Sequence, residues 1–351
     1  MSRPLKIMLA VVGATLAALA LLVAFLPGLD SDMVKGRISG VIQDVSGLEV
    51  RFEGPIKART FPSVGLELNQ VVVRAPQDMG GGVLARLGRA DISVKLLPLL
   101  SGRVETGQIT LEGLEADIVR DAQGRLNFPT PKVKEVKVEG QNVVVITDSD
   151  KRYSINYQIA GVRVTGSRFS YDDRGQGSVL KVNNIGLSTE AIQSGKPFAV
   201  KLGMDYAVTN PDVQGRMDLS GQAMMVLEAM RFAFENAAFS FKAQSPALPV
   251  KRTEANCTGT LRADLDKQVF SAEKLTLKAS GAGGMLPDAG AGFTLAVDAN
   301  ADLGQGLAEL KSLSLDAMGF TLNGSAKATD IKGKPKFDAA LATNEFAPAE
   351  V

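Results

Sequence analysis

Phe198-Ala199-Val200-Lys201-Leu202-Gly203-Met204-Asp205-Tyr206 decides the fold of this chain. Its large apolar side chains stand at every second position, with Lys201, Gly203 and Asp205 between them. Successive side chains of an extended strand point to opposite faces, so the stretch reads as a strand with one apolar and one wet face. The same period of two recurs outward in both directions. Ile92, Val94 and Leu96 alternate with Asp91, Ser93 and Lys95. Val213, Met217 and Leu219 alternate with Gln214, Arg216 and Asp218, and Leu275 and Leu277 with Lys274, Thr276 and Lys278. Phe293, Leu295 and Val297 repeat the pattern, as do Leu313 and Leu315, then Phe337, Ala339 and Leu341. These are half-buried strands.

Gly, Asn, Asp and Pro punctuate the runs at short intervals, which suits antiparallel hairpins. Gly80-Gly81-Gly82 reads as a hairpin tip, and Asp172-Asp173-Arg174-Gly175 as a turn rather than a metal-binding acidic pair. At Gly113 the phase slips, with Ile109 and Leu111 before it and Leu114, Ala116 and Ile118 after it. A bulge is expected there. Gln222–Met230 has some helix propensity, but strand-like flanks make it a strand. No long helix is expected after residue 47. The apolar face must therefore fold onto itself as a sandwich or barrel, or curl into a gutter. Periodicity alone admits both a closed core and an open groove, and favours the ordinary closed core.

The N-terminal end differs. Ile7–Leu26 is an uncharged apolar run of 20 residues, enough to span about 30 Å as a helix. Arg3 and Lys6 precede it, and Asp30 and Asp32 follow it. The positive-inside rule then sets residues 1–4 in the cytoplasm, 5–26 in the membrane and the rest across it. A cleavable signal peptide is the rival, but the run is too long, and its small-x-small site at Ala18-Leu19-Ala20 lies inside it. Val34, Ile38, Val41, Ile42 and Val45 then form a single helical stripe. An amphipathic helix is expected over residues 30–47, capping the sheet in preference to lying on the bilayer surface, since its polar face is not rich in Lys and Arg. Residues 48–128 make a first β block, and the Pro129-Thr130-Pro131-Lys132 stretch opens a linker over 129–137. Residues 138–351 make a second β block. The expected class is mainly β: an N-terminal transmembrane helix, a short amphipathic helix, then a long twisted antiparallel sheet curled into a gutter.

Composition narrows the function. There are no histidines, so the usual general base, nucleophile partner and transition-metal ligand are missing. Cys257 is the one cysteine, with no His or second Cys near it, and reads as structural. A net charge of +1 argues against nucleic acid. Neither a P-loop nor a nucleophile elbow is present. The expectation is a monomer that is not an enzyme and has no cofactor and no metal.

The chain resembles the bacterial AsmA family, which opens with one transmembrane helix and a β-rich block. Gly54-Pro55-Ile56-Lys57-Ala58-Arg59-Thr60-Phe61-Pro62 is similar to the family's short strand running into Phe-Pro. Val64–Val71 resembles the next strand. Ile92-Ser93-Val94-Lys95-Leu96-Leu97-Pro98-Leu99-Leu100-Ser101-Gly102 is similar to its strand and Pro-Leu-Leu signature, and Val104–Val119 to the strand after it. Asp121-Ala122-Gln123-Gly124-Arg125-Leu126-Asn127-Phe128 resembles the block's close, with Phe128 where Trp is common. The likeness continues through Gly161–Val164, Phe169–Asp173 and Val182–Leu187. The family pattern runs on beyond a Phe-x-Pro such as Phe346-Ala347-Pro348, so a truncation near Val351 is expected.

The resemblance implies a β-gutter related to TamB-like and chorein-type lipid-transfer proteins. It implies an inner-membrane anchor, a periplasmic body and a groove for phospholipid acyl chains that serves outer-membrane biogenesis. The expected lining is Ile92, Val94, Leu96, Phe198, Val200, Leu202, Met204, Phe293, Leu295, Val297, Leu313 and Leu315. About 18 strands at roughly 4.8 Å spacing would make a groove on the order of 85 Å. Membrane phospholipids are the expected ligand, with envelope proteins as further partners. The alternative is an assembly factor for outer-membrane proteins that pairs its exposed sheet edge with a partner strand.

Overall fold

The structure is a computed structural model. It describes residues 48–345 apart from 60–62, 76, 78–79, 101–102 and 129–156, together with positions 35, 36, 39, 40 and 43. The apolar run at 7–26 and the linker at 129–137 lie outside these residues. Among the described residues no helix is long and apolar enough to cross a membrane. Positions 35, 36, 39, 40 and 43 are helical, where the amphipathic helix is expected, and the Ser39 hydroxyl donates to the Val50 carbonyl at 2.5 Å.

The first β block holds β1 (Glu49–Phe52), β2 (Ile56–Arg59), β3 (Ser63–Arg74), β4 (Val83–Lys95), the short helix α1 (Leu96–Leu100) and β5 (Val104–Arg120). The second begins with β6 (Tyr157–Asp173), β7 (Ser178–Thr189), β8 (Ile192–Gln193), β9 (Phe198–Thr209), β10 (Asp212–Val226) and β11 (Arg231–Gln244). It continues with β12 (Val250–Asp264), β13 (Val269–Gly284), β14 (Ala291–Asp302), β15 (Leu307–Ala317), β16 (Phe320–Thr329) and β17 (Lys336–Thr343).

All seventeen strands belong to one sheet. β1 and β2 pair with opposite halves of β3, and β8 pairs with β6 beyond the end of β7. The strands therefore occupy fifteen rows, in chain order from β3 to β17. At about 4.8 Å per row the sheet extends roughly 70 Å, shorter than eighteen separate rows would. Every pairing is antiparallel except β5 with β6, which run parallel from Val104 opposite Tyr157 to Arg120 opposite Asp173. A parallel pair needs a chain return rather than a tight turn. This exception to the expected antiparallel sheet falls where the first block meets the second.

Local chemistry closes the hairpins. Asp173, Asp264 and Asp302 each end a strand, and each Oδ1 accepts from the amide three residues on, at Gln176, Lys267 and Gln305 (3.1, 2.9 and 2.9 Å). A side-chain acceptor that holds its own turn sets the hairpin before long-range contacts form. At the Gly80-Gly81-Gly82 tip, both Gly80 and Gly81 have positive φ, and Ala75 donates to Gly82 at 2.9 Å.

The phase slip at Gly113 is present, but it is not the bulge expected. Gly113 has φ +63°, yet Leu114 faces Leu87 and Glu112 faces Arg89 with no shift of register there. Neighbouring strands slip with it. Gln70 on β3 has φ +50° and Gly166 on β6 has φ +60°. Gly88 on β4 stands opposite Gly113, and its Cβ position would lie 3.8 Å from the Gly113 Cα. Gln70, Gly88, Gly113 and Gly166 thus form a crease across four strands. Leu68 and Val71, Ala90 and Leu87, and Leu111 and Leu114 all stay on one face because the strands change phase together. Elsewhere true register shifts occur, as at Ser220/Gln222 and Ala272/Leu275.

The small core sits at the β1–β4 end. Val64 and Leu66 are buried, with Phe52, Ile56, Leu68 and Leu96 packed against them. Leu96 is not the third inward residue of a strand. It opens α1, where Pro98 and the Leu run turn the chain. Gln222–Met230 is also only partly as expected: β10 ends at Val226 and Leu227–Ala229 is a 3-10 turn, with Met230 at φ +46°.

Gly113→Val should strain the crease. A β-branched residue at positive φ costs about 1–2 kcal/mol, read as faster amide exchange in β4, β5 and β6. Gly186→Ala, where the nearest atom to the new Cβ is 4.0 Å away, should change exchange by under about 0.5 kcal/mol.

Candidate functional site

Paired residues in a ladder point to the same side, so the register traces which side chains share a face. One line of partners crosses all fifteen rows. It runs Ile56, Leu68, Ala90, Leu111, Val164, Leu187 and Leu202 from β2 to β9. It continues Leu219, Phe239, Cys257, Leu277, Leu295, Leu315, Leu322 and Thr343 to β17. Fourteen of these fifteen are apolar. Parallel lines beside it are apolar too, such as Val297, Leu313 and Leu341 with Gly324 among them. The result is a continuous apolar strip perpendicular to the strands.

Among the described residues no second layer covers the strip. Seven of the eleven buried apolar residues lie in β1–β4 and an eighth, Ala75, directly follows β3; no large side chain is fully buried among the described residues. Phe239, in the middle of the line, is 36% exposed, and Phe293 is 39% exposed. Side chains in a closed sandwich are shielded from above. Here they are shielded only by their neighbours in the same face.

The expected lining residues divide into three groups. Phe198, Val200, Leu202 and Met204 alternate along β9 on the apolar side, opposite Ala223, Gly221, Leu219 and Met217. Phe198 is buried and the other three are half-buried. Phe293, Leu295 and Val297 on β14 face Ala317, Leu315 and Leu313 on β15, so these five predicted positions form one patch with Ala317. Ile92 and Val94 lie opposite the buried Leu66 and Val64, and Leu96 packs on the same cluster. Those three close the sheet's first end and do not line an open strip.

The strand-like flank Phe232–Phe241 lies in β11, whose phenylalanines are not among the expected lining residues. Phe232, Phe234, Phe239 and Phe241 stand on the apolar face, but a register shift between Phe234 and Ala237 breaks their alternation. Asn236, at φ +48°, is the local signal. Two aromatic rings lie over glycines of β10. The Tyr206 hydroxyl sits 2.6 Å from where a Gly215 Cβ would be, and Phe234 Cζ 2.9 Å from that of Gly221. Tyr206 also stacks on Phe241 with ring centroids 5.7 Å apart, and its hydroxyl donates to the Lys242 carbonyl at 3.1 Å. Cys257 lies between Phe239 and Leu277 in the apolar line, a packing position.

The opposite face is charged, and the charges pair across strands. Lys57 reaches Glu67 at 2.8 Å, and Arg89 bridges Glu67 at 3.2 Å and Glu112 at 3.3 Å. Arg59 pairs with Asp91. Arg168 holds Glu115 at 2.8 Å, Arg216 holds Asp205 and Asp218, and Arg262 joins Glu235 to Glu273. Such exposed pairs contribute little each. Their role is to keep this face wetted and the ladder in register.

The AsmA family model matches residues 1–345, and the chain belongs to the AsmA family. No curated protein and no solved structure matches it.

The charged face has a pH signature. Hydrogen bonds from Lys57, then Asn69 and Arg89, hold the Glu67 carboxyl at about 2. A carboxylate depressed in the folded state stabilises it above its unfolded value of about 4.3, and that contribution is lost as pH falls toward 2. Amide protection in β2 and β3 should decline between about pH 4.5 and 2, and Glu67→Gln should flatten this part of the profile. A high-salt buffer should weaken the effect, because the pairs are exposed.

Proposed function

We propose that this AsmA-family chain is a membrane-anchored lipid-binding protein of the cell envelope, whose uncovered apolar strip shelters phospholipid acyl chains. The observation that carries the reading is the unbroken apolar line from Ile56 to Leu322, partly exposed from Leu111 onward and lacking a covering layer among the described residues. Family membership agrees with an envelope role. The apolar run at 7–26, with Arg3 and Lys6 before it, supports a single-pass inner-membrane anchor with the sheet on the periplasmic side.

Water opposes exposure of both the strip and an acyl chain. Sheltering a methylene fully is worth about 0.8 kcal/mol. A one-sided face shelters about half of a chain, so about 16 carbons would gain roughly 6 kcal/mol. Two chains of one phospholipid would gain about twice that, enough for retention but shallow enough for movement. No residue need recognise the headgroup for this, and no catalytic group is required. Because the strip crosses every row at similar polarity, a lipid can slide along it without passing a charged barrier. Direction and energy would have to come from other envelope components.

A second reading rests on β17. All eight residues of Lys336–Thr343 are exposed, and Phe337 is 77% exposed. An edge in that state can accept a partner strand, as an assembly factor for outer-membrane proteins would require.

The test is to purify the full chain from a bacterial envelope and measure co-purifying phospholipid by native mass spectrometry and extraction. Leu295→Asp alone should lower lipid recovery by less than about threefold, because the chain can lie elsewhere on the strip. Leu202→Asp, Leu277→Asp and Leu295→Asp together should lower it more than about tenfold, with the circular-dichroism spectrum unchanged. Lipid-free wild-type protein would overturn the reading in favour of the edge. Unfolding of the triple variant would show that the strip is a closed core.

A further inference from the structure

The two rims of the sheet differ. On one rim the β12–β13, β14–β15 and β16–β17 turns carry charges at Asp264, Asp266, Lys267, Asp302, Asp330 and Lys332. On the other, the β11–β12 loop reads Ser245-Pro246-Ala247-Leu248-Pro249, and the β13–β14 loop reads Met285-Leu286-Pro287-Asp288-Ala289-Gly290. Asp288 is the one charge in both loops. Met285 is 81% exposed and Leu248 39% exposed.

The outward position of Met285 is built into the backbone. Its amide donates to the Pro249 carbonyl at 2.8 Å, which ties the two loops into one projection. Gly283 and Gly284 both have φ +73°, and a Cβ on Gly284 would lie 2.2 Å from the Pro249 oxygen. Leu286 folds back instead. It meets Gly281 beside Val250, 2.9 and 2.7 Å from where a Gly281 Cβ would be. One leucine is thus spent on holding the loop down while its neighbour is held out.

Two further features point to the partner. Lys251 and Arg252 are exposed at the base of the projection, and neither is held in an ion pair among the described residues. Alternation places them on opposite sides of β12, so cations flank the apolar tip. The projection also adjoins the apolar strip, through Gly281 opposite Thr253 and Ala291, two positions from Phe293. A Met/Leu tip whose one charge is Asp288, with two basic residues at its base, matches the boundary between acyl chains and anionic phosphates.

We propose that the linked β11–β12 and β13–β14 loops dock on the surface of a phospholipid bilayer, with Met285 and Leu248 in the acyl boundary and Lys251 and Arg252 at the phosphates. A protein pocket would also bury a methionine, but the flanking free cations favour lipid phosphate. The docking places the side of the strip near Phe293, rather than its two ends, against the bilayer. It does not depend on whether the strip itself is loaded.

The single native cysteine makes a clean test. In a Cys257→Ala background, the full chain carries an environment-sensitive fluorophore at Met285→Cys, or at Gln305→Cys on the charged rim. Each is reconstituted into phosphatidylethanolamine/phosphatidylglycerol vesicles containing brominated acyl chains. Quenching by bromine should be at least about threefold stronger at 285 than at 305, and Lys251→Glu with Arg252→Glu should reduce the 285 signal at least about twofold. Equal quenching at the two positions would overturn the proposal. So would a blue-shifted 285 probe that bromine does not quench, since that means a protein covers the loops. Lipid co-purification measured on the same samples reports separately on the strip.

Discussion

A single sheet can bury its apolar face only against something else, and among the described residues this one has no second layer. Between its two edges the backbone groups are satisfied by ladder partners on both sides, so the hydrogen-bond network needs no covering layer. Its apolar side chains are different. Each gains shelter from its neighbours in the same face and from nothing above. Partial burial along the line from Leu111 to Leu322 is the direct result, and every other feature of the sheet accommodates it.

Keeping that face apolar over fifteen rows requires that strands change phase in concert. The crease at Gln70, Gly88, Gly113 and Gly166 does this with positive φ at Gln70, Gly113 and Gly166 and a glycine at position 88 between them, where an isolated bulge would have turned one strand's leucines toward water. Register shifts such as Ala272/Leu275 do the same job pairwise. On the other face, Lys57, Glu67, Arg89 and Glu112 repeat the logic with charges, each strand's side chain meeting an opposite charge on the next. Tyr206 and Phe234 cover the gaps that Gly215 and Gly221 leave in β10. The sheet is thus a laterally continuous surface of two unlike faces, held by neighbours alone. A surface of that kind binds by area rather than by a site, which is why no single residue stands out in it.

The strands of β9 and β14 were legible because Phe198 to Tyr206 and Phe293 to Val297 keep strict alternation, and alternation maps directly onto faces. β11 was legible as a strand over Phe232–Phe241, but the face of its phenylalanines was not, because the irregularity at Asn236 breaks the period between Phe234 and Phe239. Leu96 was misplaced because a period of two continues into α1 for one residue, and only Pro98 and the packing on Val64 turn it aside. Gly113 showed that the phase changes, but a bulge and a shared crease leave the same trace in one strand. Only the partners Gly88 and Gly166 distinguish them.

Chain pattern by itself determined that this is a β protein with one apolar face, an apolar N-terminal run and no histidine chemistry, since these depend on residue type and spacing alone. Tertiary structure decided which faces align, that β5 and β6 meet in parallel, and that no described element covers the apolar face. Those are relations between strands far apart in the chain. Period-two spacing is identical whether a second sheet lies above the leucines or water does, and only the positions of the other strands settle which.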